Sequence, residues 1–262
     1  MKIFHASMSD IGRTRKINED SLYVSKRDGI YLIADGMGGH LAGEVASKIA
    51  VETIGSFLKS TRGDKEITWP FQRDEALTYD ANRFIVSVKL ANKKIFNHGR
   101  ERNLPGMGTT IVGVLCNNSG TVNMCHVGDS RIYRIRNGKI ERMTEDHSLL
   151  NDTIKRERMT AEEIEKFPYK NVITRALGIE EVVTVDLRLE EAQDEDLYIL
   201  CSDGLSNFMS EQEIAQTIIK NKSNVQKSCK ELVKKTNAKG GLDNISVIII
   251  RFSEGQKPRK KE

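Results

Sequence analysis

Short apolar runs separated by glycine- and aspartate-rich breaks set the rhythm of this chain: 30–34, 121–127, 197–201 and 245–251. They are too brief for helices and rich in β-branched or aromatic side chains, so they predict strands, several of them buried on both faces. Residues 3–8 predict a short edge strand. Residues 21–35 predict two strands joined at Arg27-Asp28-Gly29, and Asn117 to Gly120 turns a further pair. Asn137-Gly138 is the signal of a type I′ hairpin turn between two more. In the first of these, Arg131, Arg134 and Arg136 interleave with Ile132 and Ile135, which predicts a strand with one solvated face. Strands return at 182–189.

The helical period takes over elsewhere. Val45, Ile49, Ile54 and Leu58 predict an amphipathic helix over 42–58, and Phe84, Val88, Ala91 and Ile95 a longer one that Asp80 caps and Pro105-Gly106 ends. Residues 60–78 read as an irregular connection anchored by Trp69 and Phe71. Residues 145–172 break the sheet pattern with two short helical pieces, the second opened by the capping box Thr160/Glu163. They predict a mobile flap, not core. A second capping box, Ser210/Glu213, and an apolar stripe over 225–236 predict two late helices, closed by Gly240-Gly241. Grouped helices between runs of antiparallel strands make the class α+β.

Where the strands end, acids recur. Asp35 closes the run 30–34 and is followed by Gly36, Gly38 and Gly39; Asn18-Glu19-Asp20 precedes a strand; Asp129 and Asp203 follow strands; Asp243 precedes the last. Singly, an Asp-Gly pair is a turn signal. Gathered at one end of a sheet system, these carboxylates would repel, and some would have to take up protons unless a divalent cation relieved the conflict. Oxygen ligands without His or Cys at metal spacing favour a hard ion, Mg²⁺ or Mn²⁺ before Zn²⁺.

Composition narrows the setting. A chain of 262 residues, 38% hydrophobic and 30% charged, can bury a substantial core, and no apolar run approaches the ~20 residues a membrane span needs. The first residues lack a signal-peptide pattern, so the expected location is cytoplasmic. Cys116, Cys125, Cys201 and Cys229 are widely spaced and are expected to be reduced and buried. The net charge of +4 is concentrated in a basic tail, 254–262, expected to be disordered and not a nucleic-acid arm.

Six motifs, in order, carry a family resemblance: Asn18-Glu19-Asp20, Asp35-Gly36-Met37-Gly38-Gly39-His40, Gly108-Thr109-Thr110, Val127-Gly128-Asp129-Ser130-Arg131, Ser202-Asp203-Gly204 and Asp243-Asn244. Together they resemble the metal-dependent type 2C serine/threonine protein phosphatases, most of all the compact bacterial ones that oppose Ser/Thr kinases. The likeness runs from about residue 3 to 252 and implies one domain over 1–253. It implies two antiparallel sheets packed face to face, with helices on both outer surfaces and the metal site at one end. It makes Asp35 the carboxylate bridging two ions, with the Gly36 carbonyl as a further ligand. Asp203 and Asp243 become ligands of the first ion, and Glu19 and Asp20 hold its water shell. Asp129 with Asp203 matches a third, weaker site, and Arg15 matches the grip on the substrate phosphate.

The chemistry so implied is hydrolysis of phosphoserine and phosphothreonine in proteins by a metal-bridging hydroxide. Arg13 and Lys16 are alternatives to Arg15, although a guanidinium fork suits phosphate better. Where many eukaryotic relatives carry a histidine as acid after Asp-Gly, this chain has Met37, so a metal-bound water, or no acid, takes that part. His40 reads as a helix-opening residue and His147 as solvent-exposed. Expected partners are phosphorylated proteins, a Ser/Thr kinase and its substrates among them, with no nucleic acid or membrane, and a monomeric state. Three other classes compete with this reading. A metal-free pseudoenzyme is opposed by the intact acids, a phosphoacceptor domain by the hairpins, and a nucleic-acid binder has only the tail in its favour.

Overall fold

Both faces of the central strands are covered, which is why their sequences are continuously apolar and not alternating. The computed structural model describes residues 1–39, 42–64 and 68–254; His40 and most of the basic tail lie outside them. One antiparallel sheet runs β1 (Lys2–Asp10), β11 (Ile245–Ser253), β10 (Leu197–Cys201), β7 (Arg131–Arg136), β8 (Lys139–Arg142). The other runs β2 (Asp20–Ser25), β3 (Ile30–Met37), β5 (Ile111–Cys116), β6 (Thr121–Val127), β9 (Asp186–Glu191), with the two-residue β4 (Gly108–Thr109) paired to the end of β3.

Three apolar layers hold this α+β sandwich together. Between the sheets, Tyr31, Ile33, Val112, Val114 and Met124 face Ile132, Tyr198, Leu200, Ile248 and Phe252. On one outer face α1 (Ala42–Ser60) and α2 (Tyr79–Glu101) bury Ile54, Leu58, Phe84 and Ile95 against Ile30, Leu32 and Val127. On the other, α6 (Glu211–Lys220) and α7 (Val225–Ala238) bury Ile214, Ile218, Leu232 and Val233 against Ile199, Val247 and Ile249. Each such side chain contributes roughly 1.5–3 kcal/mol on leaving water.

Local signals decide most element ends. Both capping boxes form, Thr160/Glu163 and Ser210/Glu213. Asn137 and Gly138 take φ of 51° and 75°, as the type I′ turn requires. Trp69 does anchor its connection, edge-on to Tyr79 at 5.5 Å between centroids. Four buried cysteines are all free thiols.

Several expectations are corrected. The N-cap of α2 is Thr78, whose hydroxyl accepts from the Ala81 amide at 3.2 Å; Asp80 lies in the first turn and pairs with Arg83 at 2.6 Å. The buried stripe of α1 centres on Ala46, Ala50 and Ile54, leaving Val45 and Ile49 half-buried, because the helix packs through its small residues. The strand predicted from 182 begins at Asp186; the preceding segment is tied to α2 by Asn92, whose amide donates to the carbonyls of Glu180 and Glu181 at 3.0 Å each. The arginines of β7 do not face water. Arg134 bridges to Glu190 of the opposite sheet at 2.8 Å, Arg136 reaches Asp196 at 2.6 Å, and Arg131 reaches Asp146 at 2.6 Å, so they clasp the sandwich edge. A short helix, α5 (Asp203–Ser206), follows β10 at once. In the segment 145–172, α3 (Leu149–Arg156) and α4 (Ala161–Lys166) bury no residue, so this part stands off the core.

Candidate metal centre

One end of the sandwich collects the strand-terminal acids from both sheets. Asp20 and Asp35 are register partners across β2 and β3. The backbone of Asp35 is pinned by the Gly-Thr-Thr motif: its carbonyl accepts from the Thr109 hydroxyl and the Thr110 amide, both at 2.8 Å, and its amide donates to the Thr110 hydroxyl at 3.2 Å. Gly36 then passes under the first turn of α1, where an added Cβ would lie 2.0 Å from the Gly43 carbonyl oxygen. Only glycine permits this crossing. Its amide donates to the Glu19 carbonyl at 3.1 Å, which draws Glu19 to the same end.

The other sheet supplies Asp203, the first residue of α5, and Asp243, just before β11. Asn244 sews this side to the β1–β2 loop. Its buried amide donates to the carbonyls of Ile11 and Ile17 at 3.0 Å each, and its oxygen accepts from the Glu19 amide at 2.8 Å. Ser202 donates to Asp20 at 2.9 Å and accepts from the Ser246 amide at 3.0 Å, linking the two sheets directly. Arg15, on the same loop, forms an ion pair with Asp243 at 2.8 Å, so the guanidinium stands at the edge of the acid cluster. Arg13 and Lys16 are exposed and make no ion pair among the described residues.

The electrostatics are those of charge crowded into a poor solvent. Burial, then the charges of Asp20 and Asp203, raises Asp35 well above the ordinary carboxylate range. Burial and Asp243 raise Asp203 as well, opposed by neighbouring Asp35 and by Arg15 and Arg131. Asp20 is pushed up to about 7, by burial first and by Asp203 and Asp243 next, against the influence of the nearby Ser246 hydroxyl and the hydrogen bond from Ser202. Asp129, in the turn after β6, is also pushed up to about 7, by burial, then Asp203 and Asp146. Burial raises Glu19, with Arg15 acting in the other direction. For Arg15, burial disfavours the cation but Asp243, Glu19 and Asp35 outweigh it and the net shift is upward. Glu19 Oε1, Asp20 Oδ1 and Asp129 Oδ1 are buried acceptors without a hydrogen-bond partner.

A second constellation escaped the linear spacing of the sequence. His126, His147 and Asp186 bring potential ligand atoms within 4.8 Å of one another. The surroundings do not suit an ion. The Gly128 amide donates to His147 Nδ1 at 3.0 Å, Arg175 lies 3.0 Å from its Nε2, and Arg175 pairs with Asp186 at 2.7 Å. A neutral imidazole has one lone pair, and here two N–H donors already compete for it. An arginine thus stands where a cation would. His147 is therefore not the solvent-exposed residue its polar neighbours suggest: it is buried, stacked on His126 at 4.6 Å, and held down to about 4 by burial, His126 and Arg175. A cavity of about 340 Å³, lined by Arg27, Arg62 and Arg83, lies at the far end of the strands and holds none of the clustered acids.

Comparison with known proteins agrees with this geometry. The family description Protein phosphatase 2C matches residues 12–242. The serine/threonine phosphatase stp of Listeria welshimeri is 36% identical over 255 residues, covering 96% of each chain. The crystal structure of the serine/threonine phosphatase PstP of Mycobacterium tuberculosis superposes with a TM-score of 0.82 at 32% identity, over 96% of this chain and 99% of that one. A structure of the PstP catalytic domain in complex with two manganese ions gives 0.79 at 31% identity, with the same coverage. The chain belongs to the protein phosphatase 2C family of serine/threonine protein phosphatases.

Proposed function

We propose that the chain hydrolyses phosphoserine and phosphothreonine in proteins with Mn²⁺ or Mg²⁺, and so opposes a Ser/Thr kinase. One observation carries this reading: acids from both sheets crowd into one end of the sandwich, Asp20 in register with Asp35 and tied to Ser202 beside Asp203, with buried carboxylate oxygens that have no hydrogen-bond partner. Such a donor set fits hard divalent ions and little else. Asp35, Asp203 and Asp243, with the Gly36 carbonyl as a further ligand, would hold two ions, Glu19 and Asp20 would hold the surrounding shell, and Asp129 with Asp203 would take a third. Bound there, the ions supply a water acidified toward neutral pH and neutralise the phosphoryl oxygens.

The remaining work falls to the protein. Arg15 donates two parallel charge-assisted hydrogen bonds to the phosphate, and its present partner Asp243 keeps the fork aimed at the cluster. Water oxygen replaces the Ser or Thr oxygen on phosphorus, and the departing alkoxide takes a proton from solvent. Neither Met37 nor the enclosed ring of His147 can give it. The test is turnover of a panel of phosphoserine, phosphothreonine and phosphotyrosine peptides with Mn²⁺, Mg²⁺, Ca²⁺ or chelator. Turnover of the first two kinds that needs Mn²⁺ or Mg²⁺ is expected; activity indifferent to chelator would overturn the proposal.

A further inference from the structure

Beside the acid cluster, three large apolar side chains lie in water on unusually well-tied backbone. Ile11, Ile17 and Leu242 are 39%, 38% and 55% exposed, and none joins the three apolar layers of the core. Their main chains are fixed. Asn244 holds the carbonyls of both isoleucines, the Thr14 hydroxyl donates to the Leu242 carbonyl at 2.8 Å, and the Arg13 amide donates to the Gly241 carbonyl at 2.7 Å. Gly12, at φ 83°, presses its α-carbon against this second loop, where an added Cβ would be 2.3 Å from the Asp243 carbonyl oxygen. A rigid surface presenting apolar groups loses little entropy when something docks on it.

The patch is continuous with the proposed site. Ile17 follows Arg15 by two residues, at most about 7 Å between α-carbons, and Leu242 directly precedes Asp243. The same loop exposes Arg13 and Lys16, which make no ion pair among the described residues, whereas Arg15 is engaged by Asp243. An extended peptide whose phosphate lies at Arg15 would lay its neighbours, one to three residues away, across these side chains. We infer that Ile11, Ile17 and Leu242, with Arg13 and Lys16, form the seat for the residues flanking the phosphorylated side chain, selecting a substrate segment that places an apolar and an acidic residue beside it. The inference rests on the reading of the acid cluster as a phosphatase site.

The experiment compares kcat/KM for a matched set of phosphothreonine peptides. Leu and Glu are placed one to three residues to either side of the phosphothreonine, with Ser and Gly in the control peptides. The proteins are the full chain, Ile17→Ser/Leu242→Ser and Lys16→Glu, and p-nitrophenyl phosphate, which has no flanking residues, is the reference substrate. The unaltered chain is expected to prefer the Leu- and Glu-bearing peptides about tenfold, roughly the effect of burying one such side chain. The double variant should lose the Leu preference through KM, Lys16→Glu should lose the Glu preference, and both should turn over p-nitrophenyl phosphate within twofold of the original. Equal kcat/KM across all peptides with the unaltered chain overturns the inference while leaving the phosphatase reading intact, as does a preference that survives in both variants. Failure of the unaltered chain on every substrate overturns both. Because Lys16 is exposed and the peptide set can be read on the unaltered chain, misfolding of the double variant does not protect the inference.

Discussion

Replacing Asn244 with alanine tests whether one amide organises the proposed site. The side chain is 5% exposed and makes three hydrogen bonds, to the carbonyls of Ile11 and Ile17 and from the amide of Glu19. The two isoleucines are at the surface, so water can satisfy their carbonyls in part, at about 1 kcal/mol each. The part-buried Glu19 amide loses its side-chain acceptor, at about 1–2 kcal/mol. The sum is about 3–4 kcal/mol, which in a domain of this size lowers Tm by about 6–16 °C. Urea unfolding should show that loss with an unchanged slope, and the phosphopeptide KM should rise because Arg15 and Glu19 ride on the freed loop. Asn244→Asp should be no better, since it cannot donate to the two carbonyls and adds charge beside Asp243. A loss below about 1 kcal/mol with unaltered kinetics would show that the loop is held by something else.

Other outcomes follow from the same cluster. Asp203→Asn should lower kcat by at least about 100-fold in a protein that still unfolds cooperatively, because a ligand charge disappears from the cluster; near-normal kcat would refute the assignment. Arg15→Ala should raise the KM for phosphopeptides about tenfold with kcat little changed, whereas a kcat loss at constant KM would place the arginine in the transition state. In chelator-treated protein, Asp20 and Asp129 titrate near about 7 when folded and near the ordinary 3.8 when unfolded, so the folded chain holds more protons between those values. Stability must then fall as pH rises from about 4 to about 7, and Mn²⁺ should restore it at the upper end; urea midpoints that stay flat or rise would contradict the crowding of charge.

How far the chain could be read in advance depended on whether the deciding contact was local. Capping boxes, the Asn137-Gly138 turn and the apolar runs are settled within a few residues, and the structure keeps them. The acids were legible as strand-end positions, but their meeting depends on which strands pair, and β1 pairs with β11 from the other end of the chain. Only the family likeness carried that. Asn244 was visible as a motif residue, yet its partner Glu19 lies 225 positions away. Misreadings share a cause. Arg134 and His147 sit in polar surroundings, and polarity along the chain cannot tell water from a partner on another strand. Asp80 was misread as the cap because the extended backbone that makes Thr78 the N-cap is not visible in residue types alone.

Asp203 and Asp243 flank strands of one sheet, Asp20 and Asp35 lie in strands of the other, and Ser202 spans the gap between them. Any cation gripped by such a set acts as a rivet through two plates. Its binding energy resists their sliding, and by linkage a looser fit between the plates weakens the grip. Substitutions deep in the sandwich, far from any phosphate, should therefore blunt catalysis through lost ion affinity well before the chain unravels, and surplus manganese should rescue them.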